Sequence, residues 1–125
     1  MDKAKLLDGL VQELLKQRNE EKDPAAIAEL DQQILMLRFL PRKIYEPSDW
    51  IIPSSLLKLR LGQVTLFALI VPSYGGLITS WEGQALQLIT PSSPLGEALV
   101  GKKQGDRVQV EIRGTHRTYE ILEAT

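Results

Sequence analysis

The first forty residues place apolar side chains at the spacing of an amphipathic helix. Leu7, Leu10 and Leu14 are three and four residues apart, so they share one face of a helix that we predict from Lys3 to Asn19. A polar segment follows, and the same spacing returns between Ile27 and Leu37. The pattern predicts two amphipathic helices separated by a short polar turn.

Residues at this turn indicate where the second helix begins. Asp23 is a good helix N-cap, and Pro24 suits the first helical position because its missing N–H would have no partner there. Pro41 ends the helix, which we predict from Pro24 to Leu40. Two helices joined by so short a turn predict an antiparallel hairpin with a coiled-coil seam.

After residue 55 the hydrophobic pattern becomes that of β-strands. Several short segments alternate apolar and polar residues between glycine-containing turns, and one, Val64 to Val71, is almost wholly apolar. A strand of that composition belongs in the middle of a sheet. The predicted strands cover residues 57–61, 64–71, 85–90, 108–112 and 118–122. A further short strand is predicted at 50–52, within a proline-rich connector.

One short helix is predicted between the strands, from Ser93 to Lys102. Ser93 is its N-cap, Pro94 takes its first position and Gly101 lies near its end. The sequence therefore predicts an α+β protein in which an N-terminal antiparallel helical hairpin precedes an antiparallel β-sheet domain with one short helix. The predicted boundaries are 1–40 for the hairpin, 41–48 for a linker and 49–125 for the sheet domain.

Composition excludes several kinds of site. The chain has no Cys and one His, which excludes thiolate zinc sites, thiol nucleophiles and two-histidine metal sites. A net charge of −1 gives no global basic field that would attract nucleic acid. No apolar segment approaches the ~20 residues of a membrane helix, and the first residues lack the apolar core of a signal peptide. We expect a cytoplasmic protein that is not an enzyme and uses no cofactor or metal.

The most specific signal lies between Ser93 and Asp106, which read Ser-Pro-Leu-Gly-Glu-Ala-Leu-Val-Gly-Lys-Lys-Gln-Gly-Asp. This segment resembles the C-terminal signature of the GreA/GreB transcription elongation factors, Ser-Pro-[Ile/Leu]-Gly-x-Ala-Leu-x-Gly-Lys-x-x-Gly-Asp before a Val-rich strand. The segment Tyr119-Glu120-Ile121 resembles the family's last strand. The order of parts also agrees, because a helical hairpin precedes the sheet domain in the family.

The resemblance implies an FKBP-like fold for the sheet domain and binding to bacterial RNA polymerase. In the family the sheet domain docks at the rim of the polymerase secondary channel. The hairpin enters the channel, and acidic residues at its tip help to hold a catalytic magnesium ion. The resemblance assigns polymerase contact to Ser93, Pro94, Leu95 and Gly96. We then expect the protein to contact nucleic acid only indirectly, through the polymerase complex, and to bind no membrane.

The hairpin departs from the family pattern. Each predicted arm rises roughly 25 Å at the helical rise per residue, and full-length family members have arms about twice as long. The tip contains Glu20, Glu21 and Asp23, but the family's Asp-x-x-Glu-Asn pattern is absent, so these residues are weak candidates for a magnesium contact. A short hairpin is reminiscent of the Rnk subgroup. We therefore expect polymerase binding without strong stimulation of transcript cleavage.

Another class of function also fits the hairpin. An adaptor that dimerises through the hairpin, without polymerase contact, is favoured by the broad apolar face at the end of the second helix. That face consists of Leu35, Met36, Phe39 and Leu40. The sequence leaves the oligomeric state open, as well as an activating or inhibitory effect on transcription.

Two further activities find less support. A nucleic-acid site would use basic residues of the sheet domain, but residues 41–125 contain nine Lys or Arg against eight Asp or Glu, which is typical of solvated strand faces. Those basic residues are Lys102, Lys103, Arg107, Arg113 and Arg117. FKBP-like folds include prolyl isomerases with an aromatic pocket, but no isomerase motif is visible. We expect Phe67 and Tyr119, which lie in predicted strands, to be in the core.

Overall fold

The computed structural model describes residues 2–125, and the chain divides into two compact units, Met1–Arg42 and Lys43–Thr125. The first unit contains α1 (Lys3–Glu20) and α2 (Pro24–Phe39). The second unit contains β1 (Leu56–Leu61), β2 (Val64–Ile70), β3 (Ile78–Trp81), β4 (Gln84–Ile89), α3 (Pro94–Leu99), β5 (Arg107–Ile112) and β6 (Thr115–Ala124). The predicted boundaries of hairpin, linker and sheet domain stay a prediction.

Both helices of the first unit begin at an aspartate N-cap. The side chain of Asp2 accepts a hydrogen bond from the Lys5 N–H at 3.0 Å, and that of Asp23 accepts one from the Ala25 N–H at 3.3 Å. Each such cap satisfies a backbone donor that the helix itself leaves unpaired. The helices then bury their apolar stripes, which comprise Leu6, Leu7, Leu10, Val11 and Leu14 of α1 and Ile34 and Leu37 of α2.

Ion pairs connect α1 with α2 and with the residues that directly follow α2. Arg18 pairs with Asp31 near the tip, and Arg42 Nη2 lies 3.2 Å from Asp8 Oδ1 at the opposite end. The partners are thirteen residues apart near the tip and thirty-four at the far end, as in an antiparallel pair. The predicted helical hairpin is therefore present.

The side chain of Arg42 caps the end of α2. Its Nη1 group donates to the carbonyl oxygens of Leu37, Arg38 and Leu40 at 3.0, 2.9 and 2.8 Å. The last carbonyl groups of a helix have no N–H partner within the helix. The Arg42 guanidinium therefore satisfies acceptors that would otherwise bind water. Arg42 therefore caps the end of α2 and also pairs with Asp8 of α1.

Lys3 of α1 is a fully buried cation. Its exposed fraction is 0%, and burial lowers the pKa of Lys3 from 10.5 to about 8. Because the pKa in the folded state lies below the unfolded value, the unfolded chain binds more protons between about pH 8 and 10.5. The free energy of unfolding therefore rises with pH across that window.

We expect Lys3→Met, which keeps a side chain of comparable length and removes the titrating amine, to lack the rise in the free energy of unfolding that the parent protein shows between about pH 8 and 10.5. Relative to the variant, the parent protein should therefore gain about 1–3 kcal/mol between pH 7 and pH 10. Urea denaturation of both proteins at pH 7 and pH 10 measures this. A difference that stays constant between the two pH values would contradict the account.

The second unit is built on one six-stranded sheet in the order β3-β4-β2-β1-β6-β5. The apolar strand β2 lies inside the sheet, as predicted. Four of the five strand pairs are antiparallel, and β2 pairs in parallel with β4. This arrangement confirms the α+β fold class with its mostly antiparallel sheet. The last strand, Thr115–Ala124, is longer than the predicted 118–122.

The core of this unit lies between the sheet and α3. Leu95 and Leu99 of α3 are 6% and 0% exposed and belong to one cluster with residues from β1, β2, β5 and β6. Ala98 packs against the same cluster. Phe67 and Tyr119 are buried, as predicted from their places in strands. The apolar face of α3, formed by Leu95, Ala98 and Leu99, therefore contacts the sheet.

Strand β3, residues Ile78–Trp81, is absent from the sequence-based prediction. It pairs with β4 through a two-residue turn at Glu82 and Gly83, whose φ angles are +51° and +79°. Left-handed conformations at both central residues are typical of a type I′ turn, which matches the twist of a hairpin. Because β3 has four residues and two of them are hydroxylic, its alternation is too short to indicate a strand.

The predicted strand at 50–52 is wrong. Ile51 makes two backbone hydrogen bonds with the segment after α3. Its N–H donates to Lys102 O at 2.8 Å, and its carbonyl oxygen accepts from the Gly101 N–H at 2.9 Å. The pairing does not continue, because the Ile52 N–H donates to Ser55 Oγ at 3.0 Å and Pro53 has no N–H. Ile51 is 1% exposed, so the apolar signal marks a buried anchor in a loop.

The predicted helix over 93–102 is too long. α3 spans Pro94–Leu99, and the Val100 N–H makes its last bond, to Gly96 O at 2.9 Å. Gly101 then has a φ of +84°, a left-handed conformation that ends a helix and that glycine adopts without strain. Gly101 therefore follows the helix instead of lying within its last turn.

Candidate partner-binding cleft

The start of α3 forms one wall of a cleft of about 280 Å³, which we call the α3 cleft. The other walls come from the segment that includes β3 and β4 and from the β5–β6 hairpin. The residues that line the cleft are Gly76, Leu77, Ile78, Gln87, Leu88, Ile89, Thr90, Ser93, Pro94, Leu95, Ile112, Arg117 and Tyr119. Three of the four residues predicted for partner contact, Ser93, Pro94 and Leu95, are among them.

Hydrogen bonds to Ser93 fix the loop before α3. Ser93 Oγ accepts from the Gly96 N–H at 3.1 Å and donates to Thr90 O at 2.8 Å. The Ser93 N–H also donates to Thr90 O, at 3.1 Å. Ser93 is thus the predicted N-cap and also joins the helix start to the end of β4. The neighbouring Pro94 is exposed and is available to a partner.

Gly96 has a different role from the three lining residues. A Cβ atom at this position would lie 1.8 Å from Thr90 O and 2.8 Å from Thr90 C. Any side chain here would therefore collide with backbone that cannot rotate away. Gly96 does not line the cleft. Its lack of a side chain lets α3 start directly against Thr90, which positions Pro94 and Leu95.

The interior of the cleft is mainly apolar. Leu88, Ile89, Leu95 and Tyr119 are at most 6% exposed, whereas Ile78 at the border is 69% exposed. Concave, mostly apolar sites with a few polar groups are typical binding sites. Among the described residues that line the cleft, Arg117 is the charged one.

Ile78, Ile112 and Arg117 were not predicted to share a site with Ser93. The signal for Arg117 is present in the sequence, because alternate residues of a strand face the same side and Arg117 precedes the buried Tyr119 by two positions. Position 117 therefore belongs to the face of β6 that carries α3. The contribution of Ile78 follows from β3, which the pattern does not predict.

The acidic residues at the hairpin tip are engaged in local structure. Glu20 ends α1, and Glu21 Oε1 accepts from the N–H groups of Lys22 at 3.0 Å and Asp23 at 3.1 Å. Asp23 is the N-cap of α2. Between residues 2 and 125, no three or more His, Cys, Asp or Glu side chains form a group that could hold a metal ion. A magnesium contact of Glu20, Glu21 and Asp23 stays a prediction.

The basic residues of the second unit do not share one site. Lys103 Nζ lies 4.1 Å from the centre of the Trp50 ring, a cation–π contact outside the α3 cleft. Arg107 faces Glu120 across the β5–β6 pair, and Arg113 occupies the turn between these strands. Arg117 alone of the five candidates lines the cleft.

Comparison with known proteins identifies the segment that builds the cleft. The family model "Transcription elongation factor, GreA/GreB, C-term" matches residues 77–125. Over 36 residues the chain is 50% identical to transcription elongation factor GreA of Halorhodospira halophila and 47% identical to that of Alkalilimnicola ehrlichii. Each alignment covers 29% of this chain and 23% of the relative, so the match spans about a quarter of the curated proteins' length.

The fold is similar to that of a solved structure of the transcription factor Gfh1. The TM-score is 0.50 at 18% identity, with 96% of this chain and 86% of that chain covered. Within residues 2–125, no helix combines the length and the apolar character that crossing a bilayer requires. The motif around α3 and the match over residues 77–125 agree: the C-terminal segment of this chain is similar to the C-terminal domain of the GreA/GreB family.

Proposed function

We propose that this chain is a bacterial transcription elongation regulator that binds RNA polymerase at the secondary channel through the α3 cleft. The observation that carries the proposal is the location of Ser93, Pro94 and Leu95, which line a concave apolar site within the segment matched by the family. Their rigid hydrogen-bonded loop offers a preformed surface, which lowers the entropic cost of binding. The protein then acts in the cytoplasm, where its partner is found.

Transcript cleavage is not strongly stimulated in this proposal. α2 begins after the Asp23 N-cap and ends at Phe39. Its 16 residues span about 24 Å. That length is about half of a full-length family arm. In this proposal the cleavage chemistry belongs to the polymerase.

The test combines binding and cleavage in one set of proteins. We expect the intact chain to bind core RNA polymerase with a micromolar or lower Kd and to leave RNA in backtracked complexes no shorter than polymerase alone does. A matched variant, Glu20→Gln with Glu21→Gln and Asp23→Asn, removes the tip charges and keeps an amide N-cap at position 23. It should bind equally well.

Two results would overturn parts of the proposal. No binding at micromolar concentration would remove the polymerase as partner. RNA shortening by the intact chain that disappears in the tip variant would show that these carboxylates reach the active site.

A second candidate function, self-association through the hairpin, is favoured by one observation. Leu35 and Phe39 are one helical turn apart on α2 and are 50% and 80% exposed. Leu40 is buried and Met36 is half-buried, so they are not available to a second copy. Light scattering distinguishes the candidates, because a dimer that becomes monomeric with Leu35→Gln and Phe39→Gln supports the adaptor function.

A further inference from the structure

Arg117 occupies the α3 cleft without an internal counter-charge. It is exposed, and within residues 2–125 its guanidinium makes neither an ion pair nor a side-chain hydrogen bond. Three other arginines, Arg18, Arg42 and Arg60, each pair with a carboxylate. Arg117 therefore keeps all of its donors available at the border of an apolar site.

The strands fix Arg117 beside the apolar residues of the cleft. In the β5–β6 pair Arg117 faces Val110, which is 4% exposed, and it lies on the same face of β6 as Tyr119. Ile112 from the opposite strand lines the cleft as well. A cation next to an apolar recess fits a ligand that carries a negative charge next to an apolar group.

We propose that the α3 cleft binds a protein segment that carries a carboxylate beside an apolar side chain. The apolar side chain packs against Leu95, Ile112 and Tyr119, and the carboxylate pairs with Arg117. A guanidinium suits this role because its planar fork donates two parallel hydrogen bonds to a carboxylate. Partial removal of water by the apolar neighbours strengthens the pair relative to a fully exposed one.

This inference rests on the proposed function for the identity of the partner, and it adds the chemistry that the partner must present. If RNA polymerase is the partner, the surface that meets the cleft carries an Asp or Glu next to an apolar residue. A segment with Lys or Arg at that position is excluded by like-charge repulsion. Arg117 then contributes to specificity as well as to affinity.

The first test measures polymerase binding by three charge variants. Arg117→Glu should raise the Kd at least about tenfold, and Arg117→Gln about threefold, as is typical of losing one interfacial charge pair. Arg113→Glu is the matched control, because it makes the same change of charge on the same hairpin outside the cleft, and we expect its Kd to stay within twofold. Thermal unfolding of each variant checks that the fold is retained. Equal binding by Arg117→Glu and the intact chain would overturn the inference and leave the proposed function standing.

The second test does not depend on polymerase. The full chain, labelled with ¹⁵N, is titrated with N-acetyl-Leu-Glu-Leu-amide and, separately, with N-acetyl-Leu-Lys-Leu-amide at millimolar concentration. The acidic peptide should shift the amide signals of Leu88, Leu95 and Tyr119, and the basic peptide should shift them less than half as far. In Arg117→Gln the two peptides should become equivalent. Equal shifts with both peptides in the intact chain, or none with either, would overturn the inference even if polymerase binding succeeds.

Discussion

Gly96→Ala is expected to destabilise the sheet domain by about 3 kcal/mol or more, near the upper end for a small-to-large change. The added Cβ would lie 1.8 Å from the backbone oxygen of Thr90, so relief requires α3 or the end of β4 to move. Either movement breaks the bonds of Ser93 to Thr90 and Gly96 and shifts Leu95 out of the core. Polymerase binding should be lost together with the geometry of the cleft.

Urea denaturation measures the free energy of unfolding of Gly96→Ala. Gly101→Ala, measured in the same way, is the control. Gly101 has a φ of +84° and no atom within 4 Å of an added Cβ, so its substitution costs only the strain of a left-handed residue. That strain is about 1–2 kcal/mol. A Gly96 variant as stable as the Gly101 variant would contradict the close packing of α3 against Thr90.

Arg42→Ala is expected to lower the free energy of unfolding of the hairpin by about 2 kcal/mol, since hydrogen bonds from a charged donor contribute more than neutral ones. The side chain serves three carbonyl oxygens at the end of α2 and the carboxylate of Asp8. One Nη1 group makes all three carbonyl bonds, so their contributions do not add. Without Arg42, α2 should fray from its C-terminal end and lose helical circular dichroism at lower urea.

Asp8→Ala separates the capping role of Arg42 from its ion pair. The Asp8 side chain is 71% exposed, and a pair of that kind is worth below about 1 kcal/mol. We therefore expect a clearly smaller effect than that of Arg42→Ala in the same circular dichroism experiment. Equal effects of the two substitutions would mean that the ion pair, and not the cap, holds the hairpin together.

The parts of the fold that depend on neighbouring residues could be predicted from the sequence. Asp23 and Pro24 start α2, and Ser93 and Pro94 start α3, because capping involves groups within three residues of one another. The position of β2 inside the sheet follows from its apolar composition. Single-sequence patterns carry this information directly.

Features that depend on distant segments could not be predicted in the same way. The parallel pairing of β2 with β4 and the bonds of Ile51 to Gly101 and Lys102 join segments far apart in the chain. The α3 cleft likewise assembles from residues 76–78, 87–95 and 112–119. The sequence motif identified one wall, at Ser93, Pro94 and Leu95. The opposite wall contains Arg117, and it could not be identified without knowing where the β5–β6 hairpin lies in the fold.

Docking of RNA polymerase on the α3 cleft can be tested by site-specific photo-cross-linking. A photoreactive amino acid replaces Pro94, which lines the cleft, or Gln63, which is exposed in the turn between β1 and β2 and lies outside it. Each protein is irradiated with core RNA polymerase. We expect docking on the cleft to give a polymerase cross-link from position 94 and none from position 63. Cross-links from position 63 alone, equal yields from both positions, or none from either would contradict it.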